Sequence, residues 1–267
     1  MKFFAYLFRL YLKSSIHIAL AVCSLLYVSM KLHHINYEHQ LFQFAFFGSI
    51  IAYNFIKYGL EVKRYIISSK NVMLPLIMIS VVAAVMTVLS LFKLTYAQLL
   101  LVLAMGILIY LYTIPFIPSW SNFRNLARIK IYIVALVWVG VTVLLPLIDY
   151  WDSSMVLELI QRFILVMVLM IPFEIRDLNY DDTSLKTLAQ IYGITGVKVL
   201  GVILILFWLL IGFYLKINAN SHLLSVSLLL TVVLFFAKKD QKRFYTEFWV
   251  ESIPIFYALL YTLSLNN

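Results

Sequence analysis

Pro172-Phe173-Glu174-Ile175-Arg176-Asp177-Leu178-Asn179-Tyr180-Asp181-Asp182 follows directly on an apolar segment and holds four of the chain's 12 acidic residues. Glu174, Asp177 and Asp181 are spaced three and then four apart. On a helix of 3.6 residues per turn this spacing puts all three carboxylates on one narrow face. Carboxylates so arranged repel one another. Water makes them tolerable, and a shared cation makes them favourable. The plain alternative is a solvated helix end. Arg176, Asn179 and Tyr180, interleaved with the acids, point instead to a site.

The rest of the chain is greasy. Hydrophobic residues make up 64% of its 267 residues and charged residues only 12%, where a soluble domain is nearer a quarter charged. The expectation is an all-α, polytopic membrane protein forming one membrane-embedded unit over residues 1–267. Residues 1–13 read as an interfacial lead-in, with Phe3, Phe4, Tyr6, Leu7, Leu10 and Tyr11 towards lipid. No small-residue cleavage site follows the first apolar helix, so no cleavable signal peptide is expected. Cys23 is the one cysteine, which excludes an intrachain disulfide or a cysteine metal cluster.

Nine apolar segments run roughly over 14–32, 40–57, 72–92, 95–113, 131–148, 158–175, 196–215, 222–237 and 250–264. The last two are short for a hydrocarbon core that takes about 20 helical residues to cross. Charge supports the count. With the N-terminus in the cytoplasm and alternating sides, 17 of the 21 basic residues fall inside, and Lys31, Lys93, Arg162 and Lys216 fall outside. That is the positive-inside pattern. The net charge of +9 is therefore the signature of an inner leaflet and calls for no nucleic acid. The longer polar loops (58–71, 114–130, 176–195 and 238–249) and eight of the acids lie on that same inner side. Chemistry is expected on that face, at the cytoplasmic surface of a bacterial inner membrane. A transporter would place ionisable groups near the bilayer midplane. His17 and Arg162 instead read as lying close to helix ends.

A weak internal repeat links helix ends four segments apart. Asn54, Lys57, Tyr58 and Glu61 share one face at the end of the second segment, as Glu174, Asp177 and Asp181 do at the end of the sixth. Two such ends facing each other over a central cavity would form a site for a charged head group, with the bundle supplying an apolar slot.

With these residues in place, the chain resembles the UbiA superfamily of intramembrane prenyltransferases, nine-helix enzymes that move an isoprenoid chain from its diphosphate to an acceptor. The family's second Asp-rich motif, D-x-x-x-D followed by K/R-T-L-A and a glycine, is matched by Asp177 and Asp181, then Lys186-Thr187-Leu188-Ala189 and Gly193. A softer match is Tyr110-x-Tyr112 followed by Arg124, Arg128 and Lys130, like the tyrosine and basic loop that close over the diphosphate. The first motif, N-x-x-x-D-x-x-x-D, falls on Asn54, Tyr58 and Val62, so both of its aspartates are absent. Where the family often has aspartate-glycine near the last helix, this chain has Glu251-Ser252.

The resemblance implies a Mg²⁺-dependent transferase. It would take an isoprenyl diphosphate from the bilayer and pass the isoprenyl chain to a lipophilic or aromatic acceptor. A diphosphate carries about three negative charges, which Mg²⁺ held by carboxylates offsets. Asp177 and Asp181 are the expected catalytic metal ligands, with Glu174 supporting. Asn54, Arg124, Arg128, Lys130 and Lys186 are the expected diphosphate contacts, and Tyr58, Tyr110, Tyr112 and Phe173 the expected pocket walls. Lys57 reads two ways. It is a snorkelling anchor, or it is a fixed positive charge replacing the ion of the missing first motif, with Lys63, Arg64 and Glu61 nearby. The alternative for the whole chain is an inactive UbiA-like protein that binds an isoprenoid or assists assembly.

Other patterns carry less. His33, His34, Glu38 and His39 have metal-like spacing but read as an exposed interfacial loop on the outer side. No hydrolase triad converges, and no phosphate-binding G-x-x-x-x-G-K occurs.

Overall fold

A computed structural model describes residues 2–58, 70–114, 129–150, 152, 155–215 and 221–265. Every regular element among them is helical. In chain order these are α1 (Lys2–Lys13), α2 (Ile16–Leu32), α3 (His39–Tyr58), α4 (Lys70–Leu91), α5 (Tyr96–Thr113), α6 (Lys130–Tyr150, with a π-helical stretch at Gly140–Leu144), α7 (Met155–Asp177), α8 (Leu188–Tyr214), α9 (Ser221–Phe236) and α10 (Glu251–Leu265, led in by a π-helical Tyr245–Val250).

Each apolar segment carries a helix, and five of the described helices are long and apolar enough to cross a membrane alone. They are α4 from Leu74, α5, α6, α7 and α8. The pair α1 and α2, bent by 56°, makes a sixth if it is one span. The bend is at Ser15, whose backbone is left-handed (φ 63°). The outer helices are apolar on faces the protein does not cover: Val81, Val85 and Val88 on α4, Leu103 on α5, and Leu206 and Leu210 on α8 are all exposed. Such continuous apolar surface belongs against lipid.

The core lies between α2 and α7. Leu25, Leu26, Ile171 and Ile175 are fully buried, and Trp208 of α8 packs with them in one cluster. α2 packs on α10 and α3, and α7 packs on α8 and α6. Gly201 lets α8 approach this closely. A Cβ there would sit 2.5 Å from Leu234 Cδ2 of α9 and 2.9 Å from Ile171 Cδ1 of α7. Gly201→Val should therefore cost about 1–3 kcal/mol by overpacking, read as a lower Tm in detergent. An unchanged Tm would mean that α8 moves aside without cost.

Two details differ from the sequence reading. The seventh segment begins at Leu188, before residue 196, because Thr187 and Gln190 form a reciprocal N-cap there. Gly193 (φ 69°, ψ 174°) then breaks the helix before the span proper. The second difference is at the opposite end of the bundle. Arg162 lies near the start of α7, as read, four residues after Glu158 in the first turn, but the two are buried, at 4% and 2% exposure. Arg162 donates to Leu25 O (2.9 Å), Ser29 Oγ (3.1 Å) and Glu158 Oε1 (3.4 Å). Ser29 Oγ and His33 Nε2 also bond the Glu158 carboxylate. His33, read as part of an exposed loop, thus joins a network that ties α2 to α7.

Candidate functional site

α7 ends in a tight turn. The backbone N–H groups of Tyr180 and Asp181 both donate to Asp177 O, each at 2.8 Å. That turn keeps Asp181 one helical turn beyond Asp177, so the two carboxylates stay together after the helix has ended. Lys130, at the start of α6, meets both. Its Nζ lies 3.1 Å from Asp177 Oδ2 and 3.2 Å from Asp181 Oδ2. Asp177 Oδ1 accepts from the Arg176 guanidinium at 2.8 Å, and Arg176 Nη1 donates to Thr246 Oγ1 at 2.7 Å. The guanidinium also lies over the Phe173 ring, 5.2 Å from its centroid.

Asp177 and Asp181 open onto a cavity of about 640 Å³. Around them α3 contributes Tyr53, Lys57 and Tyr58, α5 contributes Tyr112 and Thr113, and α6 contributes Trp138. Lys13, Arg176, Arg243, Glu247 and Glu251 complete its charged lining. A second cavity of about 450 Å³ is lined almost wholly by apolar side chains, among them Val22, Phe44, Leu101 and Met105. The two share Ala52, Tyr53, Ile109, Val137 and Trp138 as walls. Trp138 Nε1 donates to Tyr53 Oη at 2.6 Å, so this shared wall is latched by a hydrogen bond.

Of the residues expected at the site, Asp177, Asp181, Lys57, Tyr58, Tyr112 and Phe173 line the charged cavity, and Lys130 stands behind it on the carboxylates. Tyr110 lines the apolar cavity instead. Three others lie elsewhere. Glu174 is buried at 3% exposure and accepts from Ala189 N at 3.4 Å, so it serves the first turn of α8. Asn54 is spent on packing: its Oδ1 accepts from Ser15 Oγ and its Nδ2 donates to Ser80 Oγ, each at 2.9 Å, which clips α3 to α2 and α4. Lys186 is exposed, with a left-handed backbone (φ 44°), and lines neither cavity. Arg124, Arg128, Glu61, Val62, Lys63 and Arg64 lie outside the described residues.

Lys57 donates to Ser15 Oγ at 3.1 Å. The sequence reading did not single out Lys13, Trp138, Arg243 or Glu247. Arg243, Glu247 and Glu251 are spaced four apart, which puts them on one helical face; that spacing was the available signal.

No protein-family model and no curated protein matches the sequence. A solved structure does match. A digeranylgeranylglyceryl phosphate synthase, studied in membranes, superposes with a TM-score of 0.60 over 97% of this chain and 98% of its own, at 13% identity. The chain has the UbiA-type fold. UbiA-type prenyltransferases are in general Mg²⁺-dependent, so the donor set here has to be weighed against a divalent ion. In this UbiA-type bundle the Asp177 and Asp181 oxygens that face one another already share the Lys130 ammonium, and Arg176 takes another Asp177 oxygen. Across the cavity α3 presents Lys57. Among the described residues no three His, Cys, Asp or Glu side chains gather to hold a metal ion. Mg²⁺ prefers one or two free carboxylates with phosphate and water oxygens. The described residues do not fit it as they stand.

Proposed function

We propose that this protein is an integral-membrane prenyltransferase. It moves an isoprenyl chain from an isoprenyl diphosphate to a lipophilic or aromatic acceptor. The observation that carries this reading is the pairing of two cavities. One is ringed by lysine, arginine and carboxylate side chains, and the other is apolar, with Tyr53 and Trp138 between them. An isoprenyl diphosphate is an anion joined to a hydrocarbon, and each half has a matching chamber. The UbiA-type fold supports the same class of reaction.

In this reading the head group lies among Lys57, Arg176, Arg243 and Lys130, with Arg124 and Arg128 as further cations. The allylic C–O bond breaks and diphosphate leaves with the electron pair. Tyr53, Tyr58, Tyr112, Phe173 and Trp138 offer ring faces to the allylic cation. The acceptor then forms the new bond to the allylic carbon and loses a proton. The chain works as one membrane unit of nine spans with the N-terminus in the cytoplasm. The positive-inside distribution supports that orientation, and in this reading the charged cavity faces the cytoplasm from a bacterial inner membrane.

Purified protein should release diphosphate from labelled farnesyl or geranylgeranyl diphosphate when a lipid extract supplies acceptors, and the label should move into a new lipid product. Saturable binding with no release and no labelled product would refute the transferase reading.

A further inference from the structure

A lysine that bridges two carboxylates at 3.1 and 3.2 Å occupies the position a bridging cation would take. Lys130 is buried at 8% exposure, so it is built into the site and is no passing surface contact. Its ammonium has three donors. Two go to Asp177 and Asp181, which leaves a third for a phosphate oxygen. Arg176 is fixed in a similar way, held by Asp177 on one side and Thr246 on the other.

The charge count points the same way. Lys13, Lys57, Arg176 and Arg243 line the cavity and Lys130 adjoins it, against Asp177, Asp181, Glu247 and Glu251. Among the described residues, five cations thus face these four carboxylates and the buried Glu174 beside Lys130, a balance reached before any ion binds. A cavity whose carboxylates are already matched by its own cations can admit a polyanion without a metal. A site made of carboxylates alone would repel it until metal arrived. Moving Mg²⁺ onto the aspartates would also strip a buried ammonium of both its counter-charges, and breaking such a pair is strongly unfavourable.

We infer that this protein holds the diphosphate with its own cations, Lys130 taking the place of a divalent ion between Asp177 and Asp181. The inference rests on the reading of the cavity as an isoprenyl diphosphate site. Lys130, Lys57, Arg176 and Arg243 meet the phosphate oxygens. Asp177 and Asp181 act as positioning residues that keep Lys130 and Arg176 charged and aimed.

The test is binding of geranylgeranyl thiolodiphosphate, an unreactive analogue, to the full chain in detergent, by calorimetry in EDTA and in Mg²⁺. Wild-type affinity in the two buffers should agree within about threefold and should weaken steeply with salt. Lys130→Met should bind about tenfold or more weakly in EDTA, as expected for a lost charge-assisted hydrogen bond. Mg²⁺ should restore that affinity, because the aspartate pair is then vacant. Lys130→Arg, which keeps the charge, should bind in EDTA.

Wild-type binding that requires Mg²⁺ would overturn this inference and leave the proposed function standing. Lys130→Met that binds as well as wild type in EDTA would overturn it too. No saturable binding in either buffer would overturn both readings. The wild-type comparison alone is decisive if Lys130→Met fails to fold.

Discussion

Asp177→Asn is expected to lower diphosphate release by about 100-fold or more, the scale seen when one oriented electrostatic group is removed from an active site. Asp177 accepts from two cations at once, Lys130 on Oδ2 and Arg176 on Oδ1. Asparagine keeps the shape but loses the charge, and one of its two terminal atoms becomes a donor facing a donor. Lys130 then leans on Asp181 alone, and Arg176 is held by Thr246 alone. The protein should stay folded, because the Asp177 side chain sits at the cavity wall with 17% of its surface open. A monodisperse, thermally stable Asp177→Asn protein with wild-type release would remove Asp177 from the mechanism. Binding offers a sharper reading. If the chain's own cations hold the diphosphate, analogue affinity should change by no more than about threefold, since the substitution also removes a repelling charge. A carboxylate-held metal would instead make binding fail with turnover.

Arg162→Met is the largest stability effect expected, about 3–5 kcal/mol. Arg162 is buried at 4% exposure beside Glu158 at 2%. Methionine fills the volume but leaves the Glu158 charge buried with only Ser29 and His33. It also strips Leu25 O of its side-chain donor. Tm should fall by roughly 10 °C. Adding Glu158→Gln to Arg162→Met should recover part of the loss, because it removes the unpaired buried charge. If Arg162→Met alone changes Tm by less than about 2 °C, the network is not what holds α2 to α7.

Much of this protein is legible in its sequence. Hydropathy is a local property, and in a membrane every backbone polar group must be satisfied within the segment. Apolar runs therefore declared the helices, and even the break before the seventh span is marked by Thr187 and Gly193. The carboxylate spacing at the end of α7 was legible for the same reason. Asp177 and Asp181 are neighbours through a turn, and their common face follows from residues a few positions apart.

Glu174 shows where local reasoning stops. By spacing it shares the face of Asp177, yet α8 returns close enough to draw its carboxylate to Ala189 N. Asn54 behaves likewise. It keeps the position of a substrate contact, but Ser15 and Ser80 arrive on neighbouring helices and take both ends of its amide. Lys130 was expected to clamp a phosphate, and nothing local in the sequence tells that it also stands on the two aspartates 47 and 51 positions further along.

The sequence alone determined an all-helical membrane chain, its segments, and the charged ends of α3 and α7. Only the tertiary structure decided which charges meet. It brought Arg243, Glu247 and Glu251 to the same cavity, placed an apolar chamber behind Tyr53 and Trp138, and buried Arg162 against Glu158. The reason is physical. A helix is specified by residues within a turn of one another, whereas a cation's partner depends on which distant helix packs beside it.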